Sequence, residues 1–168
     1  SANLTHASLN QAILDQTHLW YVHLAHADLT GAELTDVPLL GADLTSATLS
    51  NVKLNGEVYF TNTQLSGVKS DGIDGSASML PANWQLNGGY LIGPGADLTN
   101  ADLSYLDLNG VDLSNAILTG VQSGGITGTV ERIIDNDKIE VEIAENVKVE
   151  IVRSTGIQSL ANPPEVKK

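Results

Sequence analysis

Four histidines stand closest to any chemistry this sequence could do, and all fall within the first 26 of its 168 residues: His6, His18, His23 and His26. Neutral imidazole is the commonest metal ligand, but zinc sites take three or four protein ligands. The chain has no cysteine, which excludes disulfides and thiolate metal sites and leaves the redox compartment open. His6 and His26 are 20 residues apart, four steps of a five-residue beat that runs through the same region. Nucleophilic catalysis needs a base and an orienting group around Ser, Thr or Cys. Ser and Thr are abundant here, but they occupy the outward turn positions of that beat. Asp28, Asp43, Asp97 and Asp102 recur at one place in it, where a carboxylate bonds nearby backbone amides. They are not a pair poised for acid–base work. The Gly-rich runs lack the Lys and the strand–helix setting of a phosphate loop. The reading is a chain that is not an enzyme: no catalytic residue, no cofactor, no metal, and solvated surface histidines.

The elements that carry these groups follow from the beat itself. Leucine returns without a miss at Leu4, Leu9, Leu14, Leu19, Leu24, Leu29, Leu34, Leu39, Leu44, Leu49 and Leu54. Two places before each sits Ala, Val or Thr. A helix needs apolar spacing near 3.6 and a strand needs two, so a period of five excludes both. An extended dipeptide step followed by a corner turns two positions inward and three outward. Asp, Asn, Thr, Ser and Gly fill the outward places, as turns require. Aromatics are few, with one Phe, two Trp and four Tyr, so the core is a thin ladder of aliphatics.

Units such as Ala27-Asp28-Leu29-Thr30-Gly31, Ala42-Asp43-Leu44-Thr45-Ser46, Ala96-Asp97-Leu98-Thr99-Asn100 and Ala101-Asp102-Leu103-Ser104-Tyr105 resemble the repeating units of the pentapeptide-repeat family, over about 100 of the 168 residues. The resemblance implies an all-β fold, a right-handed quadrilateral β-helix with four units to a coil. Residues 20 apart then stack on one face, which sets His6 above His26 at roughly the 4.8 Å spacing of neighbouring strands. Two imidazoles could share one ion there. Ser46 follows them in the row, and no Cys or carboxylate completes a set.

The register slips by one residue within 55–62, where either Phe60 or Tyr59 takes the leucine's interior place. From Val68 to Gly95 the beat dissolves. A longer repeat at an offset of 53 relates Leu65–Ser76 to Leu118–Thr129. The expected organisation is a solenoid over 1–129, with blocks 1–67 and 96–121 joined by a Gly-rich transition over 68–95. Trp84, Leu86, Tyr90 and Leu91 keep the core filled through that transition.

After Thr129 the period becomes two. Val130–Ile134, Ile139–Ile143 and Val147–Ile151, separated by Asp135-Asn136-Asp137 and Glu145-Asn146, predict a three-stranded antiparallel meander within a tail over 130–160. Residues 161–168 are expected to be disordered. The stretch Gly124–Leu160, notably Gly125-Ile126-Thr127-Gly128-Thr129-Val130-Glu131 and Ile143-Ala144-Glu145-Asn146-Val147-Lys148-Val149, resembles the soluble domain of YajC, a Sec-translocase accessory protein. Solenoid ends expose an apolar cross-section and need caps; the meander can serve as one, and its removal is expected to lower stability or solubility.

Sorting the outward positions by face isolates Trp20, Tyr21, Leu40 and Phe60 as a candidate apolar interaction stripe where polar residues are the rule. The expected function is a non-catalytic scaffold that meets a protein partner or associates with itself, a homodimer being one form. Net charge is −12, which disfavours nucleic acid or an anionic membrane as partner. No run reaches the roughly 20 apolar residues of a membrane span. Some pentapeptide-repeat proteins protect DNA gyrase as acidic DNA mimics, and the first 129 residues carry 12 acids against Lys53 and Lys69; this is the alternative. A Sec-translocase role through the tail is the second alternative. The chain opens on Ser1, which suits a processed or trimmed start. A cytoplasmic protein is favoured over a processed secreted or lumenal one.

Overall fold

Most of the described five-residue units close with the same turn. The Leu4 carbonyl accepts from the Ala7 N–H at 2.9 Å, Leu24 from Ala27 at 3.0 Å, and Leu44 from Ala47 at 2.9 Å. The third residue of each turn has positive φ: 60° at His6, 59° at His26 and 56° at Ser46. Positive φ at that position defines a type II turn. It is tolerated best by Gly and Asn, which take the corner at Gly31, Gly41, Asn51, Asn62 and Asn100. Short extended steps run between the corners and pair with the coil above and below. The structure, a computed structural model, describes residues 2–108, 111–122, 129–133, 138–144 and 147–152.

Pairing is parallel and steps by 20: Asn3 with His23 and then Asp43, Ser8 with Asp28 and then Thr48. Four units therefore make one coil. Leu4 N–H donates to His23 O at 2.7 Å and His23 N–H donates back to Ala2 O at 3.0 Å. Where the steps are longest they form β1 (Glu33–Thr35), β2 (Lys53–Asn55) and β3 (Asp74–Gly75), a parallel sheet in that order. The Leu positions and the positions two before them point inward. From Val22 to Leu54 they are almost fully buried, whereas Leu4, Leu9, Leu14 and Leu19 of the first coil are half-buried against them. Among the described residues there is no helix; the fold is all-β.

The slip in the beat has a physical seat. Thr35 pairs with Asn55, but Pro38 pairs with Tyr59, so the extra residue is absorbed at Gly56-Glu57. Gly56 has φ of +66°, and Asp36 Oδ1 accepts from the Glu57 N–H at 2.9 Å. Of the two candidates for the interior, Phe60 is inside, 1% exposed. Leu39 N–H donates to Tyr59 O at 2.9 Å, which sets Phe60 in the column below Leu39.

The transition replaces part of a coil with a hairpin. β4 (Gln85–Asn87) pairs antiparallel with β5 (Tyr90–Ile92). The joining Gly88 and Gly89 have φ of +59° and +83°, the two positive values of a type I′ turn. Leu91 and Ile92 are both fully buried but belong to different core clusters, and Trp84 packs against both clusters. Trp84, Leu86 and Tyr90 are half-buried beside them. The parallel ladder continues on one face, Lys69 with Asp97 and Asp97 with Ile117.

β6 (Thr129–Ile133), β7 (Lys138–Ala144) and β8 (Val147–Val152) form a three-stranded sheet in chain order with antiparallel pairing. Its register shifts between Val130 and Arg132 and again between Glu142 and Ala144, so alternation is broken twice. The expected turns at 135–137 and 145–146, most of the second copy of the 53-residue repeat beyond Gln122, and the end at 161–168 lie outside the described residues.

Candidate interaction surface

The apolar stripe is built on two successive coils. Trp20 and Tyr21 occupy a corner of the first coil, 51% and 61% exposed. Tyr21 takes the positive-φ place, at 54°, and its N–H donates to Leu40 O at 2.9 Å. The corner below is Gly41, and a Cβ built there would stand 2.5 Å from Tyr21 Cε1. The absent side chain is what lets the ring lie down across the next coil. His18 meets Trp20 edge-on, ring centroids 5.1 Å apart. Leu40 is half-buried.

Phe60 is not part of this surface. The insertion at Gly56-Glu57 moves it one place, into the core, and Thr61 takes the outward position: Gly41 N–H donates to Thr61 O at 2.9 Å. Beyond Thr61 the exposed Met79 lies with its sulfur 3.5 Å from Thr61 Oγ1. Trp20, Tyr21 and Leu40 are thus brought together, Phe60 is withdrawn, and Met79 is added. No periodic signal pointed to Met79, because it lies where the beat has dissolved.

The remaining titratable groups are arranged by the same coils. His6 and His26 stack, centroids 4.8 Å apart and planes 11° apart. His23 pairs with Asp43 on the adjoining face. Among the described residues no group of three or more His, Cys, Asp or Glu is gathered to hold a metal ion. The recurrent aspartates cap the turn that follows them. Oδ1 of Asp28, Asp43, Asp97, Asp102 and Asp112 accepts from the backbone N–H two residues on, at 2.9–3.0 Å. The Thr30, Thr45 and Ser104 hydroxyls, followed by the same residues' N–H groups, hold Asp28, Asp43 and Asp102 below the ordinary carboxylate range. For Asp112 the Ser114 N–H is the larger cause. A general acid at neutral pH needs its carboxyl raised; these four move the other way.

At the seam between the blocks lies a half-open cleft of about 320 Å³, with Lys69, Asp71, Tyr90, Asp97 and Asn100 on its walls. Ser70 stands behind it in a leucine's place, 3% exposed. Its Oγ accepts from the Leu91 N–H at 2.8 Å. Tyr90 Oη accepts from the Asp102 N–H at 3.1 Å, and Asn87 Nδ2 donates to Asp107 O at 2.8 Å. Ser70 thereby satisfies a buried backbone N–H, as buried polar groups require, while the two hairpin side chains bond backbone groups at the surface.

Several known proteins are similar to this chain. The family model for pentapeptide repeats (8 copies) matches residues 1–36, 23–56 and 94–121. Among the solved structures similar to this chain are two with TM-score 0.40. One is a pentapeptide-repeat protein from the Arabidopsis thaliana thylakoid lumen, 21% identical, the match covering 68% of this chain and 70% of that one. The other is QnrB1, a plasmid-mediated fluoroquinolone resistance protein, 19% identical, covering 68% of this chain and 66% of that one. The Sec translocon accessory complex subunit YajC of Brucella melitensis and that of Brucella suis are each 43% identical over 37 residues, 22% of this chain. The chain spans about a third of the length of these curated relatives. On the match of the repeat model to half of its residues, and on the four-unit coil that those residues build, the chain belongs to the pentapeptide-repeat family.

Proposed function

We propose that this protein is a non-catalytic scaffold whose coils present Trp20, Tyr21, Leu40 and Met79 as a contact surface for another protein chain, a second copy of itself being the occupant. The observation that carries this reading is the Tyr21 ring lying over Gly41 beside the exposed Trp20. A few residues carry most of the binding energy at protein interfaces, and Trp and Tyr are enriched among them. Solvent-facing positions elsewhere on the coils are mostly polar. The experiment is sedimentation of the full chain with and without the two aromatics. Self-association that vanishes with them supports the reading, and a monomer at all concentrations overturns it.

The DNA-mimic reading, with gyrase as target, rests on the net charge of −12. The rows of the ladder weigh against it. Lys53 pairs with Glu33 at 2.6 Å on one face, and Lys69 stands between Thr48 and Asp97 on another. No unbroken acidic stripe runs along those two faces. Absence of any effect on gyrase supercoiling at micromolar protein removes this reading. A translocase partnership through the tail is supported only by the 37-residue similarity, and failure to capture Sec components removes it. The tail sheet is read as the cap of a right-handed solenoid, so truncation after 129 is expected to lower solubility.

A further inference from the structure

We propose that His6 and His26 jointly bind a divalent cation of the zinc, nickel or copper(II) class, as two of its ligands with water completing the shell. The pair is registered by the backbone. Both residues occupy the positive-φ corner of their units, at 60° and 59°. His6 N–H donates to Ala25 O and His26 N–H to Thr45 O, each at 2.9 Å. One coil therefore holds its imidazole directly over the next, and both rings are exposed to solvent.

The rings are close enough to share an ion once both turn toward it. Zinc–nitrogen bonds near 2.0–2.1 Å place two ligand nitrogens about 3 Å apart at a right angle, and farther apart as the angle opens. The stacked rings are 4.8 Å apart. Their planes are 11° apart, so the nitrogen lone pairs run nearly parallel, and sharing one ion requires each exposed ring to turn by about 45° or more about its side-chain torsions. The surroundings suit a cation: Asp43 feels both His23 and His26, and the chain carries net charge −12. Imidazole suits zinc, copper and nickel better than magnesium or calcium. Competing nitrogen and sulfur ligands are few. The chain has no cysteine and only two other histidines, of which His18 is turned edge-on to Trp20.

The test is calorimetric titration of the full chain with zinc chloride, set beside three variants. His6→Gln and His26→Gln keep the fold, because Gln11 and Gln16 already hold equivalent corners at φ of 56° and 55°. His18→Gln is the control outside the pair. Expected is saturable one-to-one binding in the micromolar range, weakened about tenfold or more by either pair variant and unchanged by the control. No saturable binding below millimolar zinc overturns the proposal. So does binding that survives His6→Gln, or binding that His18→Gln weakens as much as the pair variants do.

Discussion

The ring of Tyr21 lies over the backbone of Gly41, so close that a Cβ on Gly41 would stand 2.5 Å from the ring. One coil's missing side chain thereby sets the attitude of the preceding coil's aromatic. Gly41→Ala should lift the ring off the coil with only a small loss of stability, about 1 kcal/mol for an alanine at φ of +63°. Acrylamide quenching of tyrosine emission should rise in the variant if the ring is freed.

Gly75 makes a harsher demand. Its φ is +107°, and a Cβ there would meet the Leu54 carbonyl oxygen at 1.9 Å. Backbone cannot swing aside as a side chain can. Gly75→Ala should cost on the order of 3 kcal/mol. Gly31→Ala meets nothing nearer than Gln11 Cγ at 3.5 Å and should cost only about 1 kcal/mol. Urea melts of the two variants check the contrast.

Ser70 joins the first block to the hairpin by accepting from the Leu91 N–H. Ser70→Ala strands that buried donor and should destabilise by about 1–3 kcal/mol. Hydrogen exchange should report the loss first at the Leu91 amide.

Much of this was legible from the residues. The leucine beat implied a coil once the family resemblance was stated, and the coil put His6 over His26 at the distance observed. The one-residue slip was visible too, but not its consequence. Placing Phe60 required knowing that Gly56-Glu57 absorbs the extra residue, and that rests on the Asp36 carboxylate 21 residues earlier. Ser70 was illegible for a different reason: a polar residue in a leucine's slot looks like the end of the pattern until its hydrogen-bond partner is seen. Asn87-Gly88-Gly89-Tyr90 has the composition of a two-residue hairpin, yet a five-residue beat places only its Tyr90, in the core of the transition.

Acid should weaken the coils through the capping aspartates. Asp28, Asp43, Asp102 and Asp112 have carboxyls held lower in the folded chain than in the unfolded one. Their contribution is fully present above the unfolded value, near pH 4, and is lost as pH falls through the folded values. Thermal melts across that range should show stability falling below about pH 4. Asp28→Asn, whose amide oxygen still accepts from Thr30, should flatten part of that fall.

The most direct measurement is sedimentation equilibrium of the full chain beside a Trp20→Ser, Tyr21→Asn double variant, Asn being at ease at a positive-φ corner. A contact made through Trp20 and Tyr21 predicts a wild-type mass above the 17.7 kDa monomer at micromolar protein, and a double variant that is folded and monomeric. A wild-type chain that stays at 17.7 kDa at the highest concentration reached, or a double variant that keeps the larger mass, would contradict it.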